Sequence, residues 1–216
     1  MRVISGRDLH TDEYRRRLEA ISFLRTLGDL FEDEVKTVFN FCHLWRYEPK
    51  EQVMKVGDSS GSVFLVISGR MQIFGAHGEL LGQLGPGEWL GDLSLFNLNS
   101  RTADVTAQET GASLLMFPKN ILSPDDCSLT DRCKIHFYRH ISQGIRWKLE
   151  QAVMRLPEDG LKSSITALSK TIVTTNDTQE WKQHINALSA PLTQWNSYVA
   201  SIHGAANSMQ TGANLI

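Results

Sequence analysis

The sequence predicts an α+β protein in which a small antiparallel β-barrel lies between helical segments. Apolar residues recur at helical spacing before residue 40 and after Pro118, and between these points they alternate with polar residues. Turn residues recur about every eight to twelve positions through the alternating segment, which is typical of an antiparallel sandwich or barrel. We therefore expect one closed all-β unit with helices on both sides.

Composition limits the function classes. With 41% hydrophobic and 21% charged residues the chain is an ordinary globular protein, and its formal net charge of -2 gives no global reason to bind nucleic acid or anionic lipid. Its three cysteines lack paired spacing, which argues against a disulfide framework or a zinc site. Neither a secretory signal nor a membrane span is recognisable, so we expect a cytoplasmic protein.

Two amphipathic helices are predicted in an N-terminal segment, residues 1–40. Apolar residues recur at helical spacing in "YRRRLEAISFLRTL" and again in "FEDEVKTVFNFC". Gly28 and Asp29 separate the two stripes, so we place the break between the helices there.

The barrel is assigned to residues 41–118. Its candidate strands are "HLWRYEP", "EQVMKVGD", "SVFLVISG", "MQIFGAHG", "ELLGQLGPG", "TADVTAQETG" and "SLLMFP". Turns are predicted at Gly57-Asp58, Ser68-Gly69, Ala76-His77-Gly78, Gly85-Pro86-Gly87 and Thr110-Gly111.

A long helix is predicted within the next segment, residues 119–157, from about residue 130 to residue 156, where Pro157 and Gly160 end it. Its apolar seam could pair two helices across a dimer and comprises Tyr138, Ile141, Ile145, Leu149, Ala152 and Leu156. Its basic residues form either a solvated face or a surface for phosphate or a partner: Arg132, Lys134, Arg139, Arg146, Lys148 and Arg155.

The last segment, residues 158–216, predicts two more amphipathic helices, "LKSSITALSKTIV" and "TQEWKQHINALSAPLTQWNSYVASI", with Pro191 kinking or splitting the second. The final residues, "AANSMQTGANLI", have the composition of a frayed tail. This segment lacks arginine and its acidic residues outnumber its lysines, so we do not expect it to bind DNA. We expect it to dock on its own barrel, on a dimer mate or on a protein partner.

One stretch, "LGPGEWLGDLSLFNLNSRTADVTA", contains the residues best suited to bind an anionic ligand. Gly91 allows close approach of the backbone to a ligand, and "DLSLF" can begin a short helix whose free amides face an anion. Arg101 offers two donors in a fixed fork to one phosphodiester charge. Each residue also has a structural alternative, since Arg101 could pair with Asp104 and Asp92 could cap the helix.

This stretch and the order of elements over about residues 20–155 resemble the cyclic nucleotide-binding domain of catabolite-activator-type regulators and kinase regulatory subunits. The resemblance implies a jelly-roll-like barrel, or double-stranded β-helix, with a phosphate-binding cassette at residues 85–103. It implies a long helix that serves as lid and dimer contact and that supplies a base contact. Trp147 and Arg146 are candidates for this contact, and the alternative role of Trp147 is packing. The ligand-binding residues that it implies are Gly91, Asp92, Leu93, Ser94, Arg101 and Thr102.

By this resemblance Asp92 corresponds to the ribose-binding acid and Arg101 to the phosphate-binding arginine. Thr102 corresponds to a residue whose hydroxyl contacts the phosphate or a guanine base, and its alternative role is that of a strand residue with high β propensity. Leu93 and Ser94 would supply backbone amides. Aspartate is one methylene shorter than the family's glutamate, so we expect weaker binding or another nucleotide.

The sequence thus predicts a non-catalytic sensor of cAMP or cGMP that relays occupancy through its C-terminal helices to a protein partner, as a homodimer and without a cofactor. A cyclic di-GMP regulator and a ligand-free adaptor remain alternatives. Catalysis and a metal site lack support, because among seven histidines only His136 and His140 share a helical face.

Overall fold

The computed structural model describes residues 2–5, 12–96, 100–154 and 160–212. Helices span α1 (Asp12–Glu19), α2 (Ser22–Leu30), α3 (Glu32–Phe41), α4 (Asp131–Val153), α5 (Gly160–Ser169) and α6 (Thr178–Gly212), with short 3-10 helices at Asp92–Ser94 and Lys119–Leu122. Strands span β1 (Arg2–Ser5), β2 (His43–Tyr47), β3 (Gln52–Met54), β4 (Ser62–Phe74), β5 (Leu80–Leu84), β6 (Trp89–Leu90) and β7 (Asp104–Pro118).

The strands form one antiparallel sheet in the order β1-β2-β7-β4-β5, to which β3 adds on β7 and β6 adds on β4. The predicted α+β class and antiparallel sheet are therefore confirmed. The expected closure is wrong, because the described strands contain no ladder that returns from β5 to β1. The short strands β3 and β6 pair alongside β7 and β4, outside the main strand order.

Two of the predicted turns, at Gly69 and Gly111, are points where long strands continue. Both residues have positive φ, +78° and +68°, and the register between β4 and β7 shifts beside Gly69. A Cβ on Gly69 would lie 2.1 Å from the carbonyl oxygen of Gly111. The glycines thus let two bent strands cross at close range, where the sequence alone indicated hairpin turns.

The N-terminal helices differ from the prediction in number and in where they break, because the first predicted helix is divided into α1 and α2 at Ala20 and Ile21. Gly28 lies inside α2, and the break falls at Phe31, which is buried. Leu24 and Leu27 anchor the helix in the core on the turn before Gly28, so packing outweighs the local cost of glycine. Strand β1, which pairs with β2, was not predicted.

The apolar seam of α4 is buried within the chain. Tyr138, Ile141, Ile145 and Leu149 are fully buried in one core cluster that also contains Leu188 of α6. The seam was predicted to serve a dimer, and this is corrected here: α6 folds back and covers it. Leu156 and Arg155 lie outside the described residues.

The basic residues of α4 do not form one solvated face. Lys134 is 1% exposed and donates to the backbone carbonyls of Pro124 and Asp126. Arg146 donates to the carbonyl of Thr171 and contacts His184, so it holds the C-terminal segment.

Helix α6 continues through Pro191, so the predicted split at this proline is not found, and the segment expected to be a frayed tail is helical as far as Gly212. Leu188, Leu192 and Trp195 bury one face of α6, which offsets the hydrogen bond lost at proline. Residues 213–216 lie outside the described residues. None of the described helices is long and apolar enough to cross a bilayer.

Candidate ligand-binding site

A cavity of about 190 Å³ lies where the cassette, the sheet, α4 and α6 meet. All six residues predicted to bind a ligand line it: Gly91, Asp92, Leu93, Ser94, Arg101 and Thr102. Helix α4 adds Trp147, Lys148, Gln151 and Ala152, and helix α6 adds Leu192, Trp195 and Asn196. The structure therefore brings the predicted residues together and adds a wall from the C-terminal segment.

Arg101 is the buried cation of this cavity, with 7% of its surface exposed. Its Nη2 donates to the carbonyl of Ser62 at 2.7 Å, and its Nη1 donates to Ser94 Oγ at 3.3 Å. Both of these acceptors are neutral. Burial lowers the pKa of Arg101, and the charges of Asp58 and Asp92 partly oppose that effect.

The backbone fixes Arg101 from the opposite loop. Its N–H donates to the carbonyl of Asp58 at 2.8 Å, and its carbonyl accepts from the N–H of Gly57 at 3.0 Å. The structural alternative of an Arg101–Asp104 pair is not found, because Asp104 Oδ1 accepts from the backbone N–H of Val56 at 2.6 Å. Arg101 thus keeps its head group at the cavity.

Gly91 makes room for Arg101. Its φ is +76°, and a Cβ there would lie 2.3 Å from Arg101 Nη1. The sequence suggested that this glycine lets a ligand approach the backbone. In the structure it is the guanidinium that takes that space, so glycine is required before any ligand is present.

The run "DLSLF" begins a short helix, as predicted, and this helix is a 3-10 helix of three residues, Asp92–Ser94. Ser94 organises this turn: its Oγ donates to the carbonyl of Gly91 at 3.0 Å and accepts from Arg101. The carbonyl of Ser94 accepts from Lys119 Nζ, which also donates to Ser60 Oγ at 3.2 Å. A second cation that sequence reasoning missed therefore supports the cassette from behind.

Lys119 predicts a pH dependence. Burial and the charge of Arg101 lower the pKa of Lys119 to about 8. An anion at Arg101 would favour the charged lysine, so we expect the affinity for an anion to be highest below pH 8 and to fall as the pH rises through this value.

We expect a cyclic nucleotide to bind about three- to tenfold more weakly at pH 9 than at pH 7, measured by calorimetry at fixed salt. Lys119→Arg keeps its charge over this range and should bind with the same affinity at both values. An equal pH dependence in both proteins would assign the effect to another group.

Asp92 is 1% exposed and is paired with Lys148 of α4. Lys148 Nζ lies 2.7 Å from each carboxylate oxygen and donates to the carbonyl of Trp89 at 2.8 Å. Asp92 therefore binds the long helix instead of capping the 3-10 helix. Lys148 was identified in the sequence only as a basic residue. Its spacing from Ile145 and Ala152, which are on the seam, is the signal that places it inward.

The remaining predicted residues differ in what they contribute. Thr102 and Leu93 are half-buried on the cavity wall. Of the two candidates for a base contact, Trp147 is 44% exposed and lines the cavity, whereas Arg146 faces the C-terminal segment. His140 Nδ1 accepts from the indole N–H of Trp89 at 2.8 Å, which gives it a structural role.

The described residues thus combine an open antiparallel sheet, an arginine-bearing cassette and a helix that lines the same cavity. Residues 44–123 match the family described as the cyclic nucleotide-binding domain. The resemblance predicted from the cassette is therefore confirmed over that segment. Domains of this family are in general regulatory rather than catalytic.

Particular relatives support the same class. The cyclic AMP receptor protein of Thermus thermophilus is 29% identical over 98 residues, 44% of this chain and 45% of that protein. cGMP-dependent protein kinase 2 of Mus musculus is 22% identical over 123 residues, 55% of this chain and 15% of that protein. The chain thus spans less than half the length of either curated relative.

A crystal structure of a cyclic nucleotide-binding domain from Methylobacillus flagellatus matches the fold with a TM-score of 0.55 and 13% identity, over 70% of this chain and 96% of that one.

Proposed function

We propose that this chain is a non-catalytic regulatory protein that binds cAMP or cGMP and relays occupancy to a protein partner. The observation that carries the proposal is Arg101, a buried cation beside a cavity, whose hydrogen-bond acceptors are all neutral in the described part of the chain. A buried charge without an ionic partner is costly, and an anionic ligand removes that cost. A phosphodiester supplies one charge and the two oxygens that a guanidinium fork accepts.

The rest of the cavity suits a nucleoside. Its wall is largely apolar around Ile73, Leu84 and Val105, which leaves the phosphate end as the strongly charged one. Trp147 and Trp195 line the cavity from two helices and offer flat surfaces for a base. Amide side chains on the same helices can read the edge of a purine: Gln151 and Asn196.

A cyclic dinucleotide fits this site less well. It needs a second cation for its second phosphate, and the basic helix was the expected source. Lys134 donates to backbone carbonyls, Arg146 holds the C-terminal segment and Lys148 is paired with Asp92. A cyclic mononucleotide is therefore the preferred ligand.

The position of α6 supports the proposed relay through the C-terminal segment. Leu192 and Trp195 are buried and line the cavity, and Leu188 on the preceding turn packs in the core cluster that holds the seam of α4. A ligand that contacts the α6 wall changes the free energy of docking α6, and it shifts that equilibrium by its differential affinity for the two states. A homodimer would need another surface, since the predicted seam is buried.

The test is a parallel calorimetric titration of the purified chain with cAMP, cGMP and cyclic di-GMP at fixed salt. We expect saturable binding of one mononucleotide, together with a change in amide hydrogen exchange in α6. Binding without a change in α6 would refute the relay. If none of the three nucleotides binds, the proposal of a sensor is refuted and the ligand-free adaptor is favoured.

A further inference from the structure

The carboxylate in the ribose position of the cassette already has an ionic partner. Both oxygens of Asp92 lie 2.7 Å from Lys148 Nζ, and the side chains of Asp92 and Lys148 are only 2% and 16% exposed. The ammonium group also donates to the carbonyl of Trp89, a backbone atom of β6. One lysine of α4 therefore ties Trp89 of β6 to Asp92, the first residue of the 3-10 turn.

From this geometry we infer that Asp92 is the structural partner of Lys148 and does not accept from the ribose, so that Lys148 makes the site indifferent to the 2′-hydroxyl of its nucleotide. The selectivity part of this inference rests on the proposed function. We therefore expect the site to bind cyclic purine mononucleotides with either ribose or 2′-deoxyribose.

Exchange of partners is unfavourable for both members of the pair. A 2′-hydroxyl is neutral, and if Asp92 turned to it Lys148 would keep a largely buried charge with only a backbone carbonyl as acceptor. Breaking a buried ion pair by removing one partner is strongly destabilising, whereas one neutral hydrogen bond returns little. A carboxylate has lone pairs for a further donor, but the side chain of Asp92 is only 2% exposed, so a ribose hydroxyl reaches it only where the ion pair is displaced.

A double-variant cycle tests the pairing without any ligand. Lys148→Met and Asp92→Asn should each lower the thermal unfolding midpoint by at least about 6 °C, because each leaves a buried polar group unpaired. The double variant should unfold at least about 4 °C above the value that adding the two shifts predicts. Lys36→Met, an exposed lysine of α3, is the matched control and should shift the midpoint by less than about 1 °C. Shifts that add within about 1 °C would overturn the assignment.

The selectivity is tested on the unaltered chain, by titrating it with the bound nucleotide and with its 2′-deoxy analogue. We expect the two dissociation constants to agree within about threefold, and a deoxy analogue weaker by more than about tenfold would overturn the inference. If no nucleotide binds and the shifts of the unfolding midpoint are non-additive, the proposed function is refuted and the pairing of Asp92 with Lys148 is supported. Additive midpoints with 2′-selective binding would support the function and overturn the pairing.

Discussion

Arg101→Gln is expected to weaken binding of the cyclic nucleotide by at least about 100-fold, as measured by calorimetry. The phosphodiester loses two charge-assisted hydrogen bonds, each worth about 1.5 to 3 kcal/mol. Glutamine keeps a donor for the carbonyl of Ser62, so the cassette loop retains part of its support. Because the substitution also removes a buried charge, we expect the unfolding midpoint to hold or to rise.

The matched control is Arg25→Gln, which changes an exposed arginine of α2 and should leave affinity and midpoint unchanged. If Arg101→Gln bound the nucleotide as tightly as the unaltered chain, the anion would lie elsewhere. A similar loss of affinity in both variants would indicate a general electrostatic effect, which high salt would screen.

Gly91→Ala is expected to produce the second largest effect. The added methyl would meet Arg101 Nη1 at 2.3 Å in a backbone conformation with φ of +76°, so the arginine must move and the backbone is strained. We expect affinity to fall by about tenfold to 100-fold, and the free energy of unfolding to fall by about 1 to 2 kcal/mol.

Gly28→Ala is the matched control, because it adds the same methyl group at a glycine outside the cavity. Gly28 lies in α2 with nothing within 4 Å of the site of a Cβ, so alanine should stabilise the helix by about 0.5 to 1 kcal/mol and leave affinity alone. Unchanged nucleotide affinity in Gly91→Ala would mean that the position of Arg101 in the ligand-free protein is not the one that binds the phosphate.

The sequence was sufficient to predict the class and the cassette because their signals are local. Alternation, turn residues and the spacing between Gly91 and Arg101 lie within short windows, and the six predicted residues share one cavity. The strand boundaries were predicted wrongly at two glycines. Gly69 and Gly111 resemble turn residues, and only the opposing strand reveals that they permit a close crossing.

The walls of the site could not be predicted in the same way. Lys148 and Trp195 lie 56 and 103 residues from Asp92 along the chain, and an amphipathic stripe does not say what it packs against. The apolar seam of α4 has the same spacing whether it meets a second copy or α6 of its own chain. The choice between them depends on tertiary contacts, and here α6 covers the seam.

That buried seam determines the shape of the expected response. Cooperative ligand binding needs two sites joined by an element that both can bias, and in this molecule the long helix is paired with its own C-terminal segment. The seam of this helix therefore offers two copies no shared element. For the nucleotide binding proposed above we expect a hyperbolic saturation curve with a Hill coefficient of about 1, so that the output follows the nucleotide concentration gradually instead of switching at a threshold.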